Sequence, residues 1–427
     1  MVCSKQFRGI FFVAIIFFFV GNAFAQDWNR RHQFAKSYFG ISNYIVPDMQ
    51  SGAYLDAQGA VQAFDRSGFI SPAVNIGATH FWGYADFYVS INTVGIKFGE
   101  DVLENSIRLG TFTGLRIYPV PSEIKTIRPY VGYKFSPFRY RQSDLNGQNY
   151  KFTQVKSVVD LGVGIQLPNF YFTLEYGRVA KPDFETYLSR DLTVTDVFPK
   201  HLFQLGLNYT IETTKSASNP VNRLSNTLFD RSNKWGLFFA LGPSSVFPIG
   251  TSTFVKELYP FLDDKSFPVI FPDVAMGYHF TRLDIVTAAS FRPINQSRSA
   301  FGYEHEISRK SLNLEAYKFL GDYHGFVPYL GIGLGVERFT LVENEIGQGA
   351  KLREGADLSP SIVFGWDIRP SVKGDWWILR TNLRYFPFLE IPYQGKTLSL
   401  QHMEFNFIQF VVYPQRFKQI KKIIAEF

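Results

Sequence analysis

From His201 the chain alternates without interruption. Phe203, Leu205, Leu207, Tyr209 and Ile211 fall on one face of an extended strand, and Gln204, Gly206, Asn208, Thr210 and Glu212 on the other. A helix would not sort them this way. The same sorting sets Val159, Leu161, Val163, Ile165 and Leu167 against Asp160, Gly162, Gly164 and Gln166, and sets Ile362, Phe364, Trp366 and Ile368 against Ser361, Gly365 and Asp367. Soluble two-sheet proteins also alternate, so the pattern alone does not decide the class. What decides it is that the apolar faces stay apolar along long strands while the opposite faces collect glycine, amides and charge. That arrangement is apolar outside and polar inside.

Connection lengths predict the same architecture. Short turns are expected around Trp82-Gly83, Pro168-Asn169, Thr281-Arg282 and Asp322-Tyr323, alternating with longer polar stretches at 48–68, 141–154, 178–199, 249–268, 293–309 and 341–357. Short turns on one rim and long loops on the other describe a membrane barrel of about sixteen strands, with both ends of the mature chain on the short-turn side. Trp82, Tyr84, Phe170, Tyr171, Phe280, Tyr323, Trp376 and Trp377 lie at or beside the short turns, where an interfacial aromatic belt is expected.

The chain repeats itself. Ile70-Ser-Pro72-Ala-Val74-Asn-Ile76-Gly77 aligns with Ile270-Phe-Pro272-Asp-Val274-Ala-Met276-Gly277, Pro129-Tyr130-Val131-Gly132 with Pro328-Tyr329-Leu330-Gly331, and Gly164 with Gly365. Three matches in register imply duplication of an eight-strand unit. The expected organisation is an eight-strand unit over 36–212, a polar linker over 213–234, a second unit over 235–414 and a basic amphipathic tail over 415–427. In the linker, Val221, Leu224, Leu228 and Phe229 share the face of a short helix. In the tail, Phe417, Ile420, Ile424 and Phe427 do the same, flanked by Lys418, Lys421 and Lys422.

Lys5 and Arg8 precede an apolar run from Ile10 to Gly21, and Ala23-Phe24-Ala25 supplies the small-x-small pattern of a cleavage site, so residues 1–25 read as a secretory signal. The run falls short of the ~20 residues a spanning helix requires. Cys3, the single cysteine, is in this leader, and the mature chain has no thiol or disulfide chemistry. Of the 427 residues 17% are aromatic, yet mean hydropathy is −0.05. Barrel strands reconcile the two, because only alternate residues meet lipid. Formal charge is +7, falling to +5 without Lys5 and Arg8, and both signs are interspersed, so no nucleic-acid patch emerges.

Taken together, the leader, the turn-and-loop alternation and the closing strand HLFQLGLNYTIE resemble the small outer-membrane β-barrels of bacteria, the class that includes OmpA-like and OmpW-like barrels. The resemblance implies an all-β, transmembrane, antiparallel up-and-down barrel located in the outer membrane. Its partners would be outer-membrane lipids, the periplasmic chaperones and barrel-assembly machinery, and an extracellular or periplasmic partner that the sequence does not identify. Members commonly end on an aromatic at the close of the last strand, whereas here MEFNFIQFVVYP is followed by the basic tail.

Catalytic motifs are absent from the sequence: there is no Gly-x-Ser-x-Gly elbow, His-Glu-x-x-His, phosphate loop or paired cysteine ligand set. The reading is non-enzymatic, without catalytic, cofactor or metal site. Gly331, Gly333 and Gly335 read as small inward strand positions that leave room in the lumen. Tyr303-Glu304-His305-Glu306 is the one local cluster with ligand-like chemistry. Strand parity directs Arg108, Arg116, Lys134, Asp160, Glu175 and Glu212 inward in the first half, and Asp284, Glu315, Glu337, Asp367, Arg380, Arg384 and Glu404 in the second. In two tandem eight-strand barrels these groups pair and plug the lumen. In one sixteen-strand barrel they line an aqueous, porin-like pore. Two small barrels, with a binding or scaffold role for the external loops, are favoured over the channel.

Overall fold

The computed structural model describes residues 34–425, apart from 49–50, 57, 81–82, 94–95, 99–103, 122–126, 144–148, 213–235, 263–268, 322–325, 346–349 and 370–375. The leader and the linker helix expected from the sequence lie outside the described residues.

Period-two alternation produces strands throughout. The first set comprises β1 (Phe34–Asp48), the hairpin β2 (Gly52–Leu55) and β3 (Val61–Phe64), β4 (Ser67–His80), β5 (Ala85–Asn92), β6 (Ile96–Phe98), β7 (Glu104–Leu109), β8 (Phe112–Ile117), β9 (Ile127–Ser143), β10 (Asn149–Gln166), β11 (Phe170–Val179), the hairpin β12 (Asp183–Tyr187) and β13 (Thr193–Val197), and β14 (His201–Glu212). Antiparallel ladders run β1–β4–β5–β8–β9–β10–β11–β14, with β6 and β7 extending the β5 and β8 positions. β14 then pairs back with β1 from Lys36↔Glu212 to Ile45↔Phe203, closing an eight-strand barrel.

The remaining strands are β15 (Gly236–Pro248), β16 (Val269–Phe280), β17 (Ile285–Ala300), β18 (Tyr303–Phe319), β19 (Phe326–Glu345), β20 (Lys351–Ile368), β21 (Trp377–Phe386), the hairpin β22 (Glu390–Tyr393) and β23 (Lys396–Ser399), and β24 (His402–Val412). They pair in chain order, and β24 returns to β15 between Phe239↔Val412 and Pro248↔His402 across a bulge. Helix α1 (Thr253–Leu258) lies in the β15–β16 connection, and α2 (Pro414–Ala425) follows the last strand.

Burial fixes the inside. Leu205, Tyr209 and Ile211 are exposed while Gln204, Asn208 and Thr210 are buried, and Leu161 and Ile165 are exposed while Asp160 is buried. An exposed apolar face around a polar interior inverts the soluble pattern and is the arrangement of an outer-membrane barrel.

Strand length departs from the sequence reading. The stretches 141–154, 293–309 and 341–357 are mostly strand, with β17 and β18 joined only through Phe301 and Gly302, both at positive φ. β19 runs for 20 residues, about twice the ~9–11 that cross a bilayer. Beyond the lipid-facing band the outward positions turn polar while inward ones such as Ile307, Phe339 and Leu341 stay apolar and buried, so the outside-apolar alternation is lost and the outer half resembles a loop. Aromatic placement also divides: Phe170 and Phe280 are exposed, Tyr171 points inward and is buried, and Trp82 and Tyr323 lie outside the described residues. In α2, Ile420 is buried with Arg416, while Phe417 packs on Trp376 at 5.0 Å between centroids; Phe427 lies outside the described residues.

Candidate functional site: the filled lumens

Inward charge in a narrow barrel must find partners, since an unpaired buried ion costs several kcal/mol. In the first ring Arg116 on β8 reaches across to Glu175 on β11, its Nε and Nη2 donating to Oε2 at 3.1 and 3.0 Å. Lys134 on β9 bridges Glu175 and Asp160, the latter at 2.9 Å. Tyr130 donates its hydroxyl to Glu175 at 3.0 Å, and the Arg116 guanidinium also lies 3.9 Å from the Tyr88 ring centroid. Four of the residues expected from strand parity therefore form one network.

In the second ring Arg384 on β21 donates to Asp273 on β16 at 2.7 Å and to Glu315 on β18 at 2.5 Å. Arg292 pairs with Glu404, and His402 lies 3.2 Å from the other Glu404 oxygen. Asn406 and Asn313 complete the carboxylate shells of Asp273 and Glu315 at 3.1 and 2.8 Å. A separate pair joins Arg380 to Asp367 on the neighbouring strand, through both oxygens at 2.6 and 2.8 Å, with Tyr317 as a further acceptor. The ring-spanning pair links the same two strand positions in both rings with inverted sign: Arg116 to Glu175 in the first, Glu315 to Arg384 in the second.

Both mouths of the first ring are also occupied. At the short-turn end Arg128 donates to the Gly83 carbonyl at 2.7 Å and stacks 3.8 Å from Tyr118, whose hydroxyl reaches Asp86 at 2.5 Å. At the other end Phe184 of the β12–β13 hairpin packs against Phe138, 5.3 Å apart, and Arg66 forms a two-pronged bond with Asp196 at 2.7 and 2.8 Å. In the second ring Arg416 of α2 donates to His279 at 2.7 Å and stacks on Tyr413 at 3.6 Å, while Phe254 of α1 packs against Tyr393 at 4.9 Å over the opposite mouth.

Several sequence expectations need correction. Arg108 is exposed and points outward, because Asn105, Ile107 and Leu109 take the inward positions of β7. Asp284 is not in a strand: it is an exposed turn residue with φ 51°, a conformation that short polar side chains tolerate. Glu337 is inward and buried, yet its carboxylate accepts no hydrogen bond among the described residues. Glu212 keeps its place in β14, but its side chain lies outside the described residues. The Tyr303-Glu304-His305-Glu306 cluster is split by the pleat, with Tyr303 and His305 buried and Glu304 and Glu306 exposed. The inward glycines do not leave room. Gly331 is crowded by Tyr317, and Gly162 by the Tyr130 ring from the adjacent strand. In the second ring Tyr329 covers Gly365 in the same way, and Gly164, matched to Gly365 in the sequence, lies against the Tyr171 ring.

The sequence reading missed Asp273 and Arg292. Asp273 is the residue that interrupts the Ile270–Gly277 repeat with charge. Arg292 falls at the border of a stretch read as loop, although it shares parity with Val286, Ala288 and Ser290.

No known family profile matches the sequence, and no curated protein matches it. Among solved structures the chain is similar to the attachment invasion locus protein Ail of Yersinia pestis, crystallised with the heparin analogue sucrose octasulfate (10% identity, TM-score 0.28, covering 42% of this chain and 99% of that one). It is similar to the Neisserial surface protein A (13%, TM-score 0.31, 42% and 97%) and to the toluene transporter TodX of P. putida (10%, TM-score 0.19, 89% and 90%).

Proposed function

We propose that the protein is an exported outer-membrane scaffold made of two tandem, closed eight-strand barrels from a duplicated unit, non-enzymatic and non-conducting, which presents its external segments to a binding partner. The observation that carries this reading is the pairing of the inward charges. Arg116, Lys134, Arg292, Arg380 and Arg384 are almost wholly removed from solvent, each against a carboxylate. An aqueous pore would keep such groups hydrated. The returning ladders β14–β1 and β24–β15 support separate closure, since eight strands enclose only side chains.

The outer halves of the rings are in contact. Tyr150 stacks on Phe301 at 5.6 Å and 8°, and Arg190 donates to the Phe301 carbonyl at 2.8 Å. This supports a single external surface built from both units.

Planar-bilayer recording tests the reading. The purified protein is expected to insert without steady conductance, and neutralising Arg380 and Arg384 together is expected to lower stability without opening a path. Large, steady conductance whose ion selectivity follows those two residues would establish the sixteen-strand channel instead.

A further inference from the structure

Just outside the exposed apolar band, each ring sets two cations directly opposite one another on its fourth and fifth strand positions. On β18 the outward side chains Leu314 and Leu312 are followed by Lys310, and on β19 Leu334 and Val336 are followed by Arg338; the register aligns Lys310 with Arg338. In the first ring β9 presents Val131, Tyr133 and Phe135 outward, then half-buried Pro137, then Arg139, and Arg139 is aligned with Arg108 of β7. One row further out Arg141 is aligned with Lys151 of β10. All six are exposed, and none forms an ion pair among the described residues.

Directly opposed like charges destabilise a sheet. A fold that repeats the arrangement at matching strand positions, about two hundred residues apart, needs an anion to offset it. The level of the cations selects that anion. They stand beside the last lipid-facing residues, on the rim opposite the short turns, where lipid headgroups begin. Guanidinium forks match phosphate oxygens in pairs, and a primary ammonium adds a point charge.

We propose that these cation pairs bind phosphate groups of amphiphiles in the surrounding outer leaflet, one site on each ring. The inference goes beyond the scaffold reading and requires only that the apolar band meets lipid. Acyl chains lie along Leu312, Leu334 and Val336 on one ring and along Val131 and Phe135 on the other, while the phosphate bridges the cations above.

The test uses the full chain folded into vesicles of phosphatidylcholine, alone or with a minor fraction of phosphatidic acid. Heat-modifiable gel mobility confirms insertion in every sample, so a failure of the membrane reading shows as loss of the folded band in both lipids. Phosphatidic acid is expected to raise the melting midpoint of the wild type and to be retained in native mass spectra. Arg108→Gln, Arg139→Gln, Lys310→Gln and Arg338→Gln combined should abolish both effects. Replacing the three arginines by lysine, which keeps the charge should the neutral variant misfold, should retain part of the shift.

Three outcomes overturn the proposal. The neutral variant retains phosphatidic acid as well as the wild type does; inorganic phosphate raises the midpoint equally in plain phosphatidylcholine, marking a free-anion site; or Lys418→Gln, Lys421→Gln and Lys422→Gln on α2 remove the shift as completely, marking general charge attraction.

Discussion

Arg380 and Asp367 face each other across adjacent strands with two matched hydrogen bonds, and the Tyr317 hydroxyl accepts a further one from Arg380. Replacing Arg380 by Met strands a buried carboxylate and should cost ~3–5 kcal/mol in urea unfolding of the folded protein in detergent. Adding Asp367→Leu should return most of that loss, because the desolvation cost of both ions disappears along with their attraction. A small effect of the single change would mean that the site is wet. On the outer face the logic reverses. Leu205, at 49% exposure, meets lipid, so Leu205→Arg should cost ~2–4 kcal/mol in the same assay and Leu205→Gln less. The inward and outward identity of such residues was legible from alternation alone. The choice of partner was not, because Arg384 meets Asp273 from a strand 111 positions away.

At the scale of elements, the outer halves of β17 and β18 stand clear of the apolar band, since Glu304 and Glu306 face outward there. His305 faces inward between them and packs 5.8 Å from Phe254, and burial pushes its imidazole down to about 3, with Arg298 adding to the effect. The folded segment thus binds the proton only near that value, whereas an open segment binds it near the ordinary ~6.5. Stability from neutral His305 is complete above ~6.5 and is lost as pH falls below it, by up to ~1.4 kcal/mol per unit. Amide exchange, corrected for intrinsic rates, should show the β17–β18 tip losing protection between neutral pH and about 5. His305→Phe should remove that pH dependence while preserving the aromatic packing. Equal loss in the variant would assign the effect to other groups. The extent of these strands was hidden in the sequence because polar residues occupy the outward positions once lipid is left behind. The tail helix itself was legible, but of its expected apolar face Ile420 is buried while Phe417 and Ile424 are exposed, and its contacts with Trp376 and His279 join residues far apart in the chain.

For the whole molecule, separate closure has a thermodynamic signature. With a protease site placed in 213–234 and the linker cut, Arg380→Met should lower the unfolding midpoint of the C-terminal fragment and leave the N-terminal fragment unchanged, because ring-internal ladders carry most of the cooperativity. A common shift in both fragments would indicate a single barrel. Arg116–Glu175 and Glu315–Arg384 join the same two strand positions of the two rings with opposite polarity, and either polarity neutralises the buried charge. The sequence by itself determined which face of the strands is apolar and outward and the inward direction of most charges. These follow from the two-residue period of an extended backbone, which is local. Ring closure, the partner of each buried ion, the outward turn of Arg108 and the alignment of Lys310 with Arg338 were decided only by tertiary structure. Each depends on register between segments distant in the chain, and register is set by how the strands pair around the ring rather than by any stretch read alone.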